Sequence, residues 1–130
     1  MQAPHILLVD DEPNIVMSLE FLMRKQGYQV SIARNGQEAL AAIAAEAHAL
    51  VLLDIMMPDV DGYEVCRQLR ARPDRAATKV IFLSAKSQPA DVQRGYATGA
   101  DLYLPKPFST RQLMEQVKEL LGSQAVKIKK

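Results

Sequence analysis

Four apolar runs in this chain each deliver a reactive side chain at or just past the end. Leu50-Val-Leu-Leu leads to Asp54, and His5-Ile-Leu-Leu-Val leads to Asp10 and Asp11. Lys79-Val-Ile-Phe-Leu leads to Ser84, and Asp101-Leu-Tyr-Leu is followed by Lys106-Pro107. Brought to one place, three carboxylates repel one another and something must neutralise them. An all-oxygen set without His or Cys favours a hard cation, and Mg2+ suits a few carboxylates plus waters and a phosphate oxygen. Lys106 adds a fixed positive charge suited to the same phosphate. No glycine-rich loop of the P-loop or dinucleotide kind occurs, so a nucleotide is not the expected guest. What remains is the equipment for moving one phosphoryl group onto a carboxylate nucleophile, Asp54.

Each residue has a plainer reading when taken alone. Asp54 would merely open the turn before Pro58, Asp10 and Asp11 the turn before Pro13, Ser84 would be a loop hydroxyl and Lys106 a solvated charge. Those readings weaken only if the strand ends meet. Asp59-Val-Asp61-Gly62 is also acidic, but it lies beyond Pro58 and reads as turn and helix-cap chemistry rather than a second metal site. His5 and His48 precede strands with no partner in view, and neither is given a catalytic role. Met17, Met23 and Met114 fit helical faces better than any cofactor use.

The elements that must position these groups are legible from periodicity. Leu50 to Leu53 are apolar without alternation, as in a strand covered on both faces, and too short for a buried helix. Helical spacing follows Pro13 through Ile15, Leu19, Leu22 and Met23 to Gly27. Gln29 to Ala33 alternates as a less covered strand, and Asn35-Gly36 turns into a helix carrying Ala39, Leu40, Ile43 and Ala47. A helix with Val65, Cys66 and Leu69 ends before Pro73, Lys79 to Ser84 is a strand, and Val92 and Tyr96 fall on a short helix ending at Gly99. Asp101 to Leu104 is a fifth strand, and a last helix carries Leu113, Val117, Leu120 and Leu121 up to Gly122.

Five strands alternating with five helices predict an α/β doubly wound (βα)5 sandwich with a parallel sheet. The strands at Ile6, Leu50 and Val80 are apolar throughout and belong in the centre, with those at Gln29 and Asp101 at the edges. That is the flavodoxin-like strand order 2-1-3-4-5. Its switch point lies between the strands ending at Asp10 and Asp54, and the five groups share one rim.

At 130 residues the chain fits one domain, expected to span 1–122, with 123–130 as a short basic tail or linker carrying Lys127, Lys129 and Lys130. A net charge of +1 gives no electrostatic case for nucleic-acid or membrane binding. The single cysteine, Cys66, cannot form an internal disulfide and reads as core filler. No leader pattern and no apolar run of about 18 residues is present, so the expected location is cytoplasmic.

The runs Leu-Leu-Val-Asp10-Asp11-Glu12, Leu-Leu-Asp54-Ile-Met-Met-Pro58-Asp-Val-Asp-Gly62, Ile-Phe-Leu-Ser84-Ala85-Lys86 and Gly99-Ala-Asp-Leu-Tyr103-Leu-Pro-Lys106-Pro107-Phe108 occur in that order. Together, across about His5 to Leu121, they resemble the receiver domains of two-component response regulators. The resemblance implies a phosphoacceptor at Asp54, and Mg2+, or Mn2+ in its place, held by Asp11, Asp54 and the carbonyl of Met56. Asp10 would act chiefly through metal-bound water. It further implies that Ser84 and Lys106 bind the phosphoryl oxygens, that Lys106-Pro107 is a cis peptide, and that Tyr103 is the switch aromatic. By the same resemblance, Met56 and Lys86 occupy the positions that influence the hydrolytic water and so bear on the phosphate lifetime.

The implied function is a switch. A histidine kinase or phosphotransfer protein donates the phosphoryl group, and a downstream target or fused output domain is read through the face of the fourth helix, fifth strand and fifth helix. The chain would then be a phosphoacceptor rather than an enzyme, apart from its own Mg2+-dependent phosphorylation and dephosphorylation. Two rival readings fit the residues less well. A haloacid dehalogenase-like phosphatase carries a second acid two residues after its nucleophile, where this chain has Met56, and it has no cap domain here. A phosphate-independent interaction module would have lacked the acceptor, the acid pair or the lysine.

Overall fold

The computed structural model describes the backbone of residues 3–129 and the side chains of residues 3–122, so the side chains of Lys127, Lys129 and Lys130 lie outside the described residues. The chain runs β1 (His5–Val9), α1 (Pro13–Lys25), β2 (Gln29–Ala33), α2 (Gly36–Ala45), β3 (Leu50–Asp54), α3 (Gly62–Arg70), a 3-10 turn at Pro73–Arg75, β4 (Lys79–Ser84), α4 (Pro89–Ala97), β5 (Leu102–Pro105) and α5 (Thr110–Lys129). The sheet order is β2-β1-β3-β4-β5 and every pairing is parallel. Parallel neighbours cannot be joined by tight hairpins, so each connection crosses over the sheet through a helix.

Side chains along a strand alternate between the two faces, and here helices cover both, which is why the central strands carry apolar residues without a break. Leu7, Val9, Val51, Leu53, Val80 and Phe82 pack against Ala39, Ile43, Val65 and Leu69 on one side. Ile6, Leu8, Leu50, Leu52, Ile81 and Leu83 meet Val16, Leu19, Met23, Leu113 and Val117 on the other. Truncating one of these buried leucines to alanine costs roughly 2–5 kcal/mol, enough to threaten a marginally stable domain. Cys66 is buried in the first core, with its thiol donating to the Thr98 carbonyl at 3.5 Å.

Local details depart from the periodicity where tertiary contacts intervene. Ala47 fits the apolar pattern of α2 but lies outside it, because Glu46 is already an extended C-cap as the chain turns toward β3. β5 starts one residue later than Asp101, whose carboxylate instead accepts from the Val80 N–H at 2.8 Å and pairs with Arg70 at 2.9 Å. The last helix continues through Gly122 to Lys129, since one helical glycine costs only about 1 kcal/mol. Met23 is buried and Met114 half-buried, whereas Met17 stands out into solvent.

Candidate functional site

The rim of the sheet is built by register. Val9 lies opposite Leu53, so the following residues, Asp10 and Asp54, leave adjacent strands at the same level. Asp54 is paired with Leu83, and Ser84 with Pro105, which brings the ends of β4 and β5 to the same rim. The Lys106 N–H donates to the Ser84 carbonyl at 2.6 Å, and the Lys106–Pro107 peptide bond is cis. Gly62 is required beneath this rim, because a Cβ there would stand 2.5 Å from the Asp54 carbonyl oxygen.

Asp10 is fully buried, Asp54 is 5% exposed and Asp11 is open to solvent. One carboxylate oxygen from each lies within 4.8 Å of the other two. Lys106, distant in sequence, reaches back so that its Nζ is 3.2 Å from Asp10 Oδ2 and 3.8 Å from Asp54 Oδ1. The Glu12 N–H donates to Asp10 Oδ1 at 2.9 Å, and the Met56 N–H to Asp54 Oδ1 at 3.3 Å. Burial pushes the Asp54 carboxyl up to about 6, and Asp10 adds to the rise, while Lys106 and the Met56 N–H oppose it. A single ammonium among three carboxylates leaves an excess of negative charge. The donor set is all oxygen, open on the Asp11 side, and fits a hard divalent cation.

Around this centre the remaining sequence-derived residues fall into two groups. Ser84 is fully buried at the rim, and its hydroxyl oxygen accepts the Lys86 N–H at 3.0 Å. The Lys86 carbonyl in turn accepts the Tyr103 hydroxyl at 2.7 Å, so Ser84 and Tyr103 are joined through one residue's backbone. Tyr103, the implied switch aromatic on the edge strand β5, has its ring turned inward and only 5% exposed. Gly95 leaves it room, since a Cβ there would stand 2.6 Å from the Tyr103 ring. Met56 and Lys86 form the second group, lining a hollow with Asp61, Tyr63 and Arg94 beside the rim.

The loop acids are caps. Asp59 accepts the N–H groups of Gly36 and Gln37, each at 2.9 Å, and Asp61 accepts that of Glu64 at 3.0 Å. Asp59 thereby ties the loop after Asp54 to the start of α2. Sequence reasoning missed the run of edge-on and tilted rings formed by Tyr63, Phe82 and Tyr103, whose centroids are 5.6 and 5.9 Å apart. Arg94 lies over Tyr63 at 4.1 Å. No local signal marks this ladder, which draws on α3, β4 and β5.

The response regulator receiver domain family matches residues 6–118, the stretch that contains every one of these groups. The chain belongs to that family. It is similar to the transcriptional regulatory protein ResD of Bacillus subtilis, 43% identical over 116 residues that cover 89% of this chain and 47% of that protein. It is also similar to the phosphate regulon regulator PhoB of Rhizobium meliloti, 39% identical over 91% of this chain and 52% of that one. The chain spans about half the length of these relatives. Among solved structures, a CheY-like receiver domain protein from Methanospirillum hungatei superposes with a TM-score of 0.89 at 32% identity, covering 97% of this chain and 99% of that one. The response regulator TrrA of Thermotoga maritima, in complex with Mg(2+)-BeF, gives 0.80 at 39% identity over 93% and 100% of the two chains.

The receiver domain is thus a module of two-component signal transduction, and its relatives are response regulators, proteins that take their signals from histidine kinases. Receiver domains as a family are phosphorylated on aspartate and bind Mg2+ at acidic residues, with which the carboxylate cluster here is compatible. The phosphatase reading is set aside by the family match. Among the described residues, no helix is long and apolar enough to cross a membrane.

Proposed function

We propose that this receiver domain accepts a phosphoryl group on Asp54 from a phosphohistidine of a kinase or phosphotransfer protein, and that the modified domain changes its surface toward a target. The observation that carries the assignment is Lys106 reaching both Asp10 and Asp54 at the switch point of the sheet. Asp11, Asp54 and the Met56 carbonyl would hold Mg2+ or Mn2+, with Asp10 acting through water. When bound, the ion offsets the charge that builds up on the transferred phosphoryl oxygens.

This chain's own groups do the rest. The Asp54 carboxylate attacks phosphorus, the P–N bond to the donor histidine breaks, and an acyl phosphate remains. Lys106 balances the charge on the new oxygens, and the Ser84 hydroxyl donates to one of them. The donor supplies the activated phosphoryl while the receiver supplies most of the transfer chemistry, so the domain acts as a phosphoacceptor rather than a turnover enzyme. Met56 and Lys86, at the mouth of the site, set the approach of the water that later hydrolyses the acyl phosphate. Exposed Met17 and Phe21 on α1, beside a hollow that includes Asn14 and Thr110, offer the donor an apolar landing near the rim.

Output follows the hydrogen bonds. A phosphoryl group at Asp54 draws the Ser84 hydrogen toward itself while Ser84 Oγ continues to accept from Lys86, and the Lys86 carbonyl holds Tyr103 inward. Phosphorylation therefore favours the inward ring and the α4–β5–α5 surface that goes with it, which a target or a fused output domain reads. The test is phosphotransfer from candidate kinases autophosphorylated with radiolabelled ATP. Label should pass to the wild type and not to Asp54→Asn; equal labelling of the two would place the acceptor elsewhere.

A further inference from the structure

At the opposite pole of the sheet, where the parallel strands begin, the chain gathers two imidazoles and a carboxylate. His5 opens β1, Glu46 is the C-cap of α2, and His48 lies in the link to β3. β1 is five residues long, which puts roughly 17 Å of strand between this cluster and the phosphorylation rim. One potential ligand atom from each of the three residues lies within 4.8 Å of the other two. His5 Nδ1 is 3.2 Å from Glu46 Oε1, and the His5 and His48 ring centroids are 4.6 Å apart.

We propose that His5, Glu46 and His48 form a second metal site, for a borderline divalent ion of the Zn2+ class, independent of the acidic cluster at Asp54. Three features of the geometry support it. Two imidazoles and one carboxylate form a donor set that suits Zn2+ and its first-row neighbours, whereas Mg2+ prefers oxygen alone, so the two poles sort by metal. His5 Nε2 is 2.7 Å from Ser31 Oγ, a hydroxyl able to accept an Nε2–H once a cation takes the place of the proton between Nδ1 and Glu46. A hydrogen bond of that kind on the far ring nitrogen is the usual support of a metal-bound histidine. The backbone beneath is pinned as well. The His48 carbonyl accepts the Thr78 hydroxyl at 2.7 Å, and the His5 carbonyl accepts the Ala49 N–H at 2.8 Å.

Access and charge are compatible with an ion. His48 is buried, His5 is partly open and the Glu46 side chain is half exposed, so an ion enters on the carboxylate side and keeps water at its remaining position. The Arg75 guanidinium also acts on His48, disfavouring its charged form. That guanidinium is committed elsewhere, donating to the Ile43 carbonyl at 2.9 Å and pairing with Asp74 at 3.1 Å. The ion would bridge the first strand, the end of α2 and the entry to β3.

The full chain, stripped of metal and then held in excess Mg2+ to occupy the acidic cluster, is titrated with Zn2+ by calorimetry and with Co2+ by visible absorption. One Zn2+ per chain is expected, with Co2+ giving the intense ligand-field bands of a low-coordinate nitrogen–oxygen site. Glu46→Gln and His5→Ala, which alter partly exposed side chains, should each weaken binding at least ~10-fold, and Ser31→Ala about 10-fold through loss of the supporting hydrogen bond. Asp54→Asn should bind Zn2+ as the wild type does. Circular dichroism of each metal-free variant separates lost ligands from lost folding. Unchanged affinity in Glu46→Gln and His5→Ala, a stoichiometry that disappears with Asp54→Asn, or no Zn2+ uptake by the wild type would each overturn the proposal and leave the cluster a hydrogen-bonded His–Glu pair.

Discussion

Replacing Asp54 with asparagine should stabilise the metal-free domain at neutral pH, and the size of the effect follows from the site. The Asp54 carboxyl is pushed from an ordinary value of 3.8 up to about 6, first by burial and then by Asp10. The sign is that of a raised acid: the folded state holds its proton more tightly than the unfolded chain. Wild-type stability therefore falls as pH rises through the window from 3.8 to about 6. The full shift corresponds to about 3 kcal/mol, and with Asp54 only 5% exposed little of it is screened away. Asparagine keeps an oxygen for the Met56 N–H but carries no charge. Urea unfolding in EDTA should show Asp54→Asn more stable than wild type by about 3 kcal/mol near pH 7.5, shrinking to about 1 kcal/mol near pH 4.5. Added Mg2+ should narrow the gap by stabilising the wild type alone. A variant that is no more stable at neutral pH, or one whose advantage does not shrink in acid, would refute the electrostatic account of the rim.

Three further outcomes follow from particular contacts. Asp11→Ala should weaken Mg2+ binding measured by tyrosine fluorescence titration, whereas Asp59→Ala should leave it within a few fold and instead lower the urea midpoint, since it removes the cap on Gly36 and Gln37. Met56→Asn should change the decay rate of the phosphorylated protein, followed by loss of label, with little effect on Mg2+ affinity; an unchanged rate removes that side chain from the mechanism. Gly95→Ala would set a methyl group 2.6 Å from Tyr103, so the roughly 1–3 kcal/mol of overpacking outweighs the ~1 kcal/mol helix gain and drives the ring outward. Nuclear magnetic resonance of the Tyr103 ring should then report the outward position in both phosphorylation states, and a ring that stays inward would separate Gly95 from the switch.

What could be read from the sequence was what repeats or alternates. Leu50 to Leu53 and Val80 to Leu83 announce central strands because both faces of the sheet are covered, and the acids and lysine at the strand ends follow from the topology those strands impose. Asp59 and Asp61 were rightly separable from the metal cluster, because a carboxylate beyond a proline and before a helix has N–H groups to cap. Less legible was everything decided by contacts between distant residues. Ala47 continues an apolar spacing that the chain abandons in order to reach β3. The inward pose of Tyr103 depends on a missing Cβ at Gly95 and on the Lys86 carbonyl, neither of which is visible in a strand pattern. His5 and His48 had no partner along the chain, and Glu46 joins them only when α2 ends where it does.

The most direct test of the central claim is the intact mass of the protein after incubation with Mg2+ and acetyl phosphate, for wild type and Asp54→Asn side by side. The wild type should gain a single acid-labile phosphoryl group, and the gain should vanish when EDTA replaces Mg2+, because nucleophile, cation and Lys106 act together. Asp54→Asn should gain none. Equal phosphorylation of the two proteins, or labelling that is indifferent to Mg2+, would contradict the assignment of Asp54 and the carboxylate cluster around it.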